Sequence, residues 1–227
     1  MKAAILLHGS GVYDGTEIQE AVLCMLALNE YNIDYECFAP NIPQFHVINH
    51  LNGEVSQEIR NVLTESARIA RGHVFDVNEM NVKNFDCLIM PGGFGTAKNL
   101  TTWAINGSNT RLEESVLQFI VSFINEKKPI GALCMSPTTL AIALRSLSKE
   151  AILTVGSNIE ASHYDIASIS IEMESIGMKP VMKTIKEISI DKVHKIVCAP
   201  CYMMDGSILD VYLNIKNMVS EINQLIQ

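Results

Sequence analysis

The sequence predicts one α/β domain in which a mostly parallel sheet is covered by helices on both faces. Three observations carry this reading. Short, predominantly apolar stretches recur at residues 3–7, 86–90 and 130–134, which is how a strand buried on both faces reads. Longer segments with helical periodicity lie between them, and strands that alternate with helices build a parallel sheet with right-handed crossovers. A chain of 227 residues, 48% of them hydrophobic, can bury one substantial core. No linker, repeat or low-complexity stretch divides it, so residues 1–227 are read as a single domain.

Taken in order, residues 3–7 form the first strand, and the loop at residues 9–15 carries three glycines that permit tight backbone geometry. Thr16 is expected to cap a helix whose residues 21–28 are all apolar, a helix greasy on every side that must be covered on both faces. Its outer cover would be other helices or a second copy of the chain, and a homodimer is expected. Residues 35–39 read as a strand and residues 44–53 as a loop without period. A helix is predicted over residues 55–71, with Val55, Ile59, Val62, Leu63, Ala67 and Ala70 on one face. The strand at 86–90 runs into Pro91-Gly92-Gly93-Phe94-Gly95. Residues 112–125 are helical, 130–134 a strand, and a helix starts at Pro137, which suits a first turn. Further strands are predicted at 151–155, 187–190 and 195–199, with helices at 166–176 and 208–226.

Composition excludes several classes. The net charge is -8 with scattered Lys and Arg, so no basic stripe exists to neutralise a nucleic acid. No apolar run reaches membrane-spanning length, and the apolar start is too short for a signal peptide. Six cysteines spread through apolar segments fit reduced thiols, and a cytoplasmic location is expected.

Cys134 is the candidate nucleophile. It stands where a strand turns at once into a helix, the thiol counterpart of the elbow that presents serine in hydrolases. Helix amides and dipole at that corner favour a thiolate, although a lone cysteine is more often packing. Ligands in such a sheet gather beyond the carboxyl ends of the strands, and the 9–15 loop, Pro91–Gly95 and Cys134 all fall there. Consecutive glycines at Gly92 and Gly93 let backbone N–H groups point into a shared space. Glu17 and Glu20 start the first helix. Glu17 reads as a dipole-complementing residue, whereas Glu20 precedes the apolar octet, so burial would raise its pKa and let it carry a proton.

Two other patterns carry less. Cys198-Ala199-Pro200-Cys201 follows His194, but strand alternation separates these side chains and no second pair completes a metal site. His46 and His50 have helical ligand spacing in a segment that does not read as a helix, so they are solvated or supporting residues.

Several strings resemble the ElbB, or sigma cross-reacting protein, family within the PfpI and class I glutamine amidotransferase-like superfamily. They include Gly11-Val12-Tyr13-Asp14-Gly15-Thr16-Glu17-Ile18, Val47-Ile48-Asn49-His50 and Pro91-Gly92-Gly93-Phe94-Gly95-Thr96-Ala97-Lys98-Asn99-Leu100. The resemblance implies a flavodoxin-like three-layer α/β/α sandwich, usually dimeric. It implies Cys134 as nucleophile, Glu20 as supporting acid, and oxyanion donors in the Gly92-Gly93 backbone and the Met135 amide. It also implies a weak glyoxalase, needing no metal or other cofactor, that turns glyoxal or a similar small 2-oxoaldehyde into a hydroxy acid, with Glu17 and His50 as outer supports. Met135 follows the cysteine where relatives that use an assisting histidine carry one, and no His-x-Glu occurs, which argues against glutamine hydrolysis. The alternative is a sensor or binding protein in which Cys134 is oxidised.

Overall fold

The structure, a computed structural model, describes residues 1–227. Its elements are β1 (Lys2–Leu6), α1 (Ile18–Glu30), β2 (Asp34–Ala39), β3 (Val47–Ile48), β4 (Val55–Ser56), α2 (Val62–Ile69), β5 (Val74–Asp76), β6 (Cys87–Met90), α3 (Trp103–Asn106) and α4 (Glu114–Asn125). They continue with β7 (Ile130–Leu133), α5 (Ser136–Ser146), β8 (Ile152–Leu153), α6 (Ile166–Ser175), β9 (Lys179–Pro180), β10 (Ser189–Asp191), β11 (Ile196–Ala199) and α7 (Ile208–Ile226). Seven strands make the central sheet in the order β10-β11-β7-β6-β1-β2-β5. All neighbours are parallel except β10 and β11. The predicted α/β fold with a mostly parallel sheet is therefore the one observed.

Chain direction explains where the site falls. From β1 the chain moves outward through β2 to β5, then jumps back to β6 on the other side of β1 and proceeds to β7 and β11. With right-handed crossovers, this reversal puts helices on both faces. Accordingly α1 packs on α7 and α2, whereas α4 packs on α5. The strands β1, β6, β7 and β11 are almost wholly buried, and their carboxyl ends open at one edge.

Several boundaries differ from the sequence expectation. The helix predicted over residues 55–71 begins only at Val62, because Asn61 caps it by accepting from the Thr64 N–H at 3.0 Å. Val55–Ser56 instead pairs with Val47–Ile48 as an antiparallel hairpin, inside and just after the stretch read as a loop. Val55 and Ile59, which completed the apolar face, are exposed. Thr16 does not cap α1: its hydroxyl accepts from the His8 N–H, and Glu17 caps the helix through its carboxylate. The edge strand β5 and the π-helical turn Thr96–Leu100 have no apolar run to announce them.

Asn214 of α7 is fully buried and ties the sheet edge to the helix layer, accepting from the Cys201 N–H at 3.0 Å and donating to the Glu187 carbonyl at 2.7 Å. Asn214→Leu leaves both backbone groups buried and unpaired. It is expected to lower stability by about 2–5 kcal/mol, read as a fall in the urea midpoint.

Candidate active site

Cys134 closes β7 and precedes α5, and its φ of 55° is left-handed, a conformation that costs a non-glycine residue about 1–3 kcal/mol. The strain turns the side chain out of the strand and toward the loop after β6. Gly92 makes that approach possible: a Cβ there would lie 2.4 Å from Cys134 Cβ, 2.8 Å from its Sγ and 2.7 Å from Glu20 Oε2. Gly93 is equally constrained, with φ of 105° and no room for a Cβ, which would sit 2.4 Å from the Glu17 nitrogen. The Pro91 carbonyl at the head of this loop is held by the Ser136 hydroxyl and by His8 Nε2. Burial pushes the His8 imidazole down to about 4, so it stays neutral.

The two glycine amides have different partners. Gly92 N–H donates to Glu20 Oε2 at 2.9 Å, so the expectation that it serves as an oxyanion donor is corrected. The Gly93 and Met135 amides lie near the Cys134 sulfur and favour its charged form. Glu20 also accepts from the Tyr202 N–H at 3.2 Å and lies beside Cys134, its Oε2 and the sulfur 2.7 and 2.8 Å from where a Gly92 Cβ would be. No cation reaches it. Burial first, and the charge of Glu17 second, push its carboxyl up to about 8, leaving it a carboxylic acid at neutral pH.

That protonated neighbour does not ionise the sulfur. Cys134 is only 5% exposed, and burial, followed by Glu20, raises its thiol well above the ordinary range despite the two backbone donors. The expected thiolate is corrected on this point: the helix start contributes less than desolvation removes. At neutral pH the pair carries both protons.

Above the sulfur is a cavity of about 10 Å³ lined by Val12, Glu17, Phe94, Tyr164, Tyr202 and Met203, among others, close to the smallest space that holds one water. Glu17 lines this cavity and also caps α1 through its carboxylate, and burial raises its carboxyl too. Glu20 approaches the sulfur from the protein side instead. His50 does not line the cavity. Its Nε2 accepts from the Tyr13 N–H at 3.2 Å and its ring lies 4.9 Å from that of Tyr13, so it braces the 9–15 loop.

Sequence reasoning missed the residues that close the cavity. Phe94, Tyr164, Tyr202 and Met203 come from three separate loops and share no period. Tyr164 packs on Phe94 with ring centres 5.8 Å apart, and Ser162 anchors the Tyr164 loop to the Met203 carbonyl. The signal available was modest: Asp165, which caps α6, marks Tyr164 as the last residue of a loop. The C-x-x-C residues also part company, since Cys198 lies beside Thr154 and Ser189 whereas Cys201 lies near Glu20 and Cys24.

A carboxyl protonated in the fold up to about pH 8, but only below about 4.5 once unfolded, gives stability that is full below 4.5 and is lost as pH rises through 8. Between pH 6.5 and 8 the wild type is expected to lose thermal stability. Glu20→Gln is expected to flatten that slope, with an offset at every pH because Gln offers one acceptor to two backbone donors. Parallel melting curves for the two proteins across this range would contradict the assignment.

Comparison with known proteins places these features in context. The family model described as "DJ-1/PfpI family" matches residues 12–160. The chain is 37% identical to the human "Glutamine amidotransferase-like class 1 domain-containing protein 3, mitochondrial" over 99% of its own length and 83% of that protein. It is 36% identical to the rat "ES1 protein homolog, mitochondrial" over 99% of this chain and 84% of the relative. The crystal structure of an Ehrlichia chaffeensis isoprenoid biosynthesis protein with an amidotransferase-like domain superposes with a TM-score of 0.90 at 35% identity, covering 100% of both chains. The mitochondrial relatives overturn the cytoplasmic location expected from composition. By this match, and by its fold, the chain belongs to the DJ-1/PfpI family.

Proposed function

We propose that the protein is a cysteine-dependent enzyme of the glyoxalase type, converting glyoxal or a similar small 2-oxoaldehyde to the hydroxy acid without a metal or other cofactor. One observation carries this reading: the Glu20 carboxyl and the Cys134 sulfur meet over Gly92, 2.7 and 2.8 Å from where a Cβ would sit, at a strand-to-helix corner. The resemblance to the ElbB family supports it.

In the proposed reaction Cys134 Sγ adds to the aldehyde carbon while the thiol proton passes through the Glu20 carboxyl to the carbonyl oxygen. The relay makes a free thiolate unnecessary, which suits the raised thiol. The Gly93 and Met135 amides stabilise the developing oxyanion. Glu20, still protonated, then works through both oxygens: one takes the proton from the hemithioacetal carbon as the other gives its proton to the neighbouring carbonyl oxygen, forming an enediol. The acid next protonates that neighbouring carbon as it takes the hydroxyl proton from the sulfur-bearing carbon, giving the thioester. The resulting thioester is hydrolysed: water supplies the acid oxygen, the C–S bond breaks, and the thiol is regenerated.

A cavity of about 10 Å³ does not hold glyoxal as it stands, so the Tyr164 or Phe94 ring must swing aside. Cys134→Ser is expected to lower kcat/KM for glyoxal at least about 100-fold, because serine is the weaker nucleophile in a relay of this kind. Tyr164→Ala is expected to lower KM with less effect on kcat. Wild-type turnover in purified, folded Cys134→Ser would sink the scheme.

The same cavity favours a second reading, a peroxide sensor, because hydrogen peroxide, with two heavy atoms to glyoxal's four, asks for less displacement of the rings.

We further propose that two copies pair through α1. Ile18, Val22 and Leu26 form a one-turn-spaced stripe, each close to half exposed, and Leu209 and Leu213 of the adjacent α7 are exposed as well. Val22→Glu is expected to shift the sedimentation coefficient at micromolar concentration from dimer to monomer. A wild type already monomeric there would refute the pairing.

A further inference from the structure

The geometry points to Cys201 as a resolving thiol: a sulfenic acid formed on Cys134 by a hydroperoxide is captured by Cys201 as a disulfide across the ends of β7 and β11. The inference rests on the sensor reading of Cys134 and is independent of glyoxal turnover.

Strand pairing brings the two residues together. β7 and β11 are parallel neighbours with Leu133 opposite Ala199, and the Cys134 N–H donates to the Ala199 carbonyl at 2.9 Å. The ladder stops there, with Cys134 one residue and Cys201 two residues past its last pair. Neighbouring strands lie about 4.8 Å apart and a disulfide spans Cα atoms about 4.4–6.8 Å apart, so two residues just beyond one parallel pair start within reach of each other.

Backbone conformation is the second argument. Cys134 and Cys201 have φ of 55° and 47°. Two non-glycine residues in the left-handed region at adjacent strand ends break the strand alternation that would otherwise separate their side chains. The Cys201 backbone is locked in that state by Asn214.

The third argument is a shared acid. Glu20 contacts Cys134 through its carboxyl and accepts from the N–H of Tyr202, the residue after Cys201. The Cys201 thiol lies within the electrostatic reach of Glu20, Cys24 and Cys134. Cys198, the other half of the C-x-x-C, is held beside Thr154 and Ser189, so that motif does not act as a dithiol.

The chemistry closes in two steps. Cys134 sulfur attacks one peroxide oxygen, the S–O bond forms as O–O breaks, and the thiol proton leaves with the departing oxygen as water or alcohol. Cys201 sulfur then attacks the sulfenic sulfur: S–S forms, S–O breaks, and the hydroxyl leaves as water with the Cys201 proton, relayed by Glu20. Two thiols are oxidised by two electrons and one hydroperoxide is reduced.

The test treats the full-length protein with one equivalent of hydrogen peroxide, blocks free thiols by alkylation and maps unreduced peptides by mass spectrometry. A Cys134–Cys201 cross-linked peptide, reversed by dithiothreitol, is the expected result in wild type. In Cys201→Ala, treated with excess peroxide in parallel with wild type, Cys134 is expected to pass to sulfinate several-fold faster, with glyoxal turnover before oxidation unchanged from wild type. A Cys24–Cys201 link, or Cys134 sulfinate formed equally fast in both proteins, overturns the resolving role alone. Cys134 untouched by peroxide overturns the sensor reading with it.

Discussion

One carboxyl ties three strand ends together. Glu20, at the start of α1, accepts from Gly92 N–H beyond β6 and from Tyr202 N–H beyond β11, and it touches Cys134 beyond β7. A buried carboxylate with no cation is expensive, and the fold meets that cost by keeping the group neutral and surrounding it with hydrogen-bond partners. The neutral acid can then lie against a sulfur without repelling it. The closeness of Gly92, Gly93 and Cys134 follows from this arrangement, since any side chain at either glycine would collide with the acid, the sulfur or the backbone of α1.

The same crowding sets the state of the thiol. Helix-start amides and the two convergent backbone N–H groups favour negative charge, while enclosure by Phe94, Tyr164, Tyr202 and Met203 opposes it. Enclosure wins, because removing water from a charge costs more than a helix terminus returns. The resting site is thus a thiol and an acid under an aromatic lid. Strain is stored beneath it in left-handed Cys134 and, one strand away, in left-handed Cys201. Reactivity therefore belongs to the pair, with the carboxyl as the route by which a proton leaves the sulfur, and access is governed by ring rotation.

Much of the fold was legible because its central strands are buried on both faces and spell unbroken apolar runs, as in Cys87–Met90 and Ile130–Leu133, and because α7 keeps its helical period from Ile208 to Ile226. The hairpin Val47–Ile48 with Val55–Ser56 was hidden by residues whose spacing imitates a helix, although Val55 and Ile59 face solvent. Cys134, Glu20 and the glycine pair could be singled out because each is local chemistry at a recognisable corner. The residues that roof the cavity could not, since they arrive from loops whose order in the chain says nothing about their meeting.

Residue order alone is enough to place a cysteine at a strand-to-helix corner of a parallel sheet, with an acid on the first helix toward the same edge. These follow from periodicity and from chain direction, which are properties of neighbouring residues. Packing between distant segments set the rest: burial raises the thiol's proton affinity, Gly92 serves the acid rather than a substrate, and the space above the sulfur is about 10 Å³. Proton affinity and enclosed volume are sums over atoms brought together from distant segments, and no local pattern of residues contains those sums.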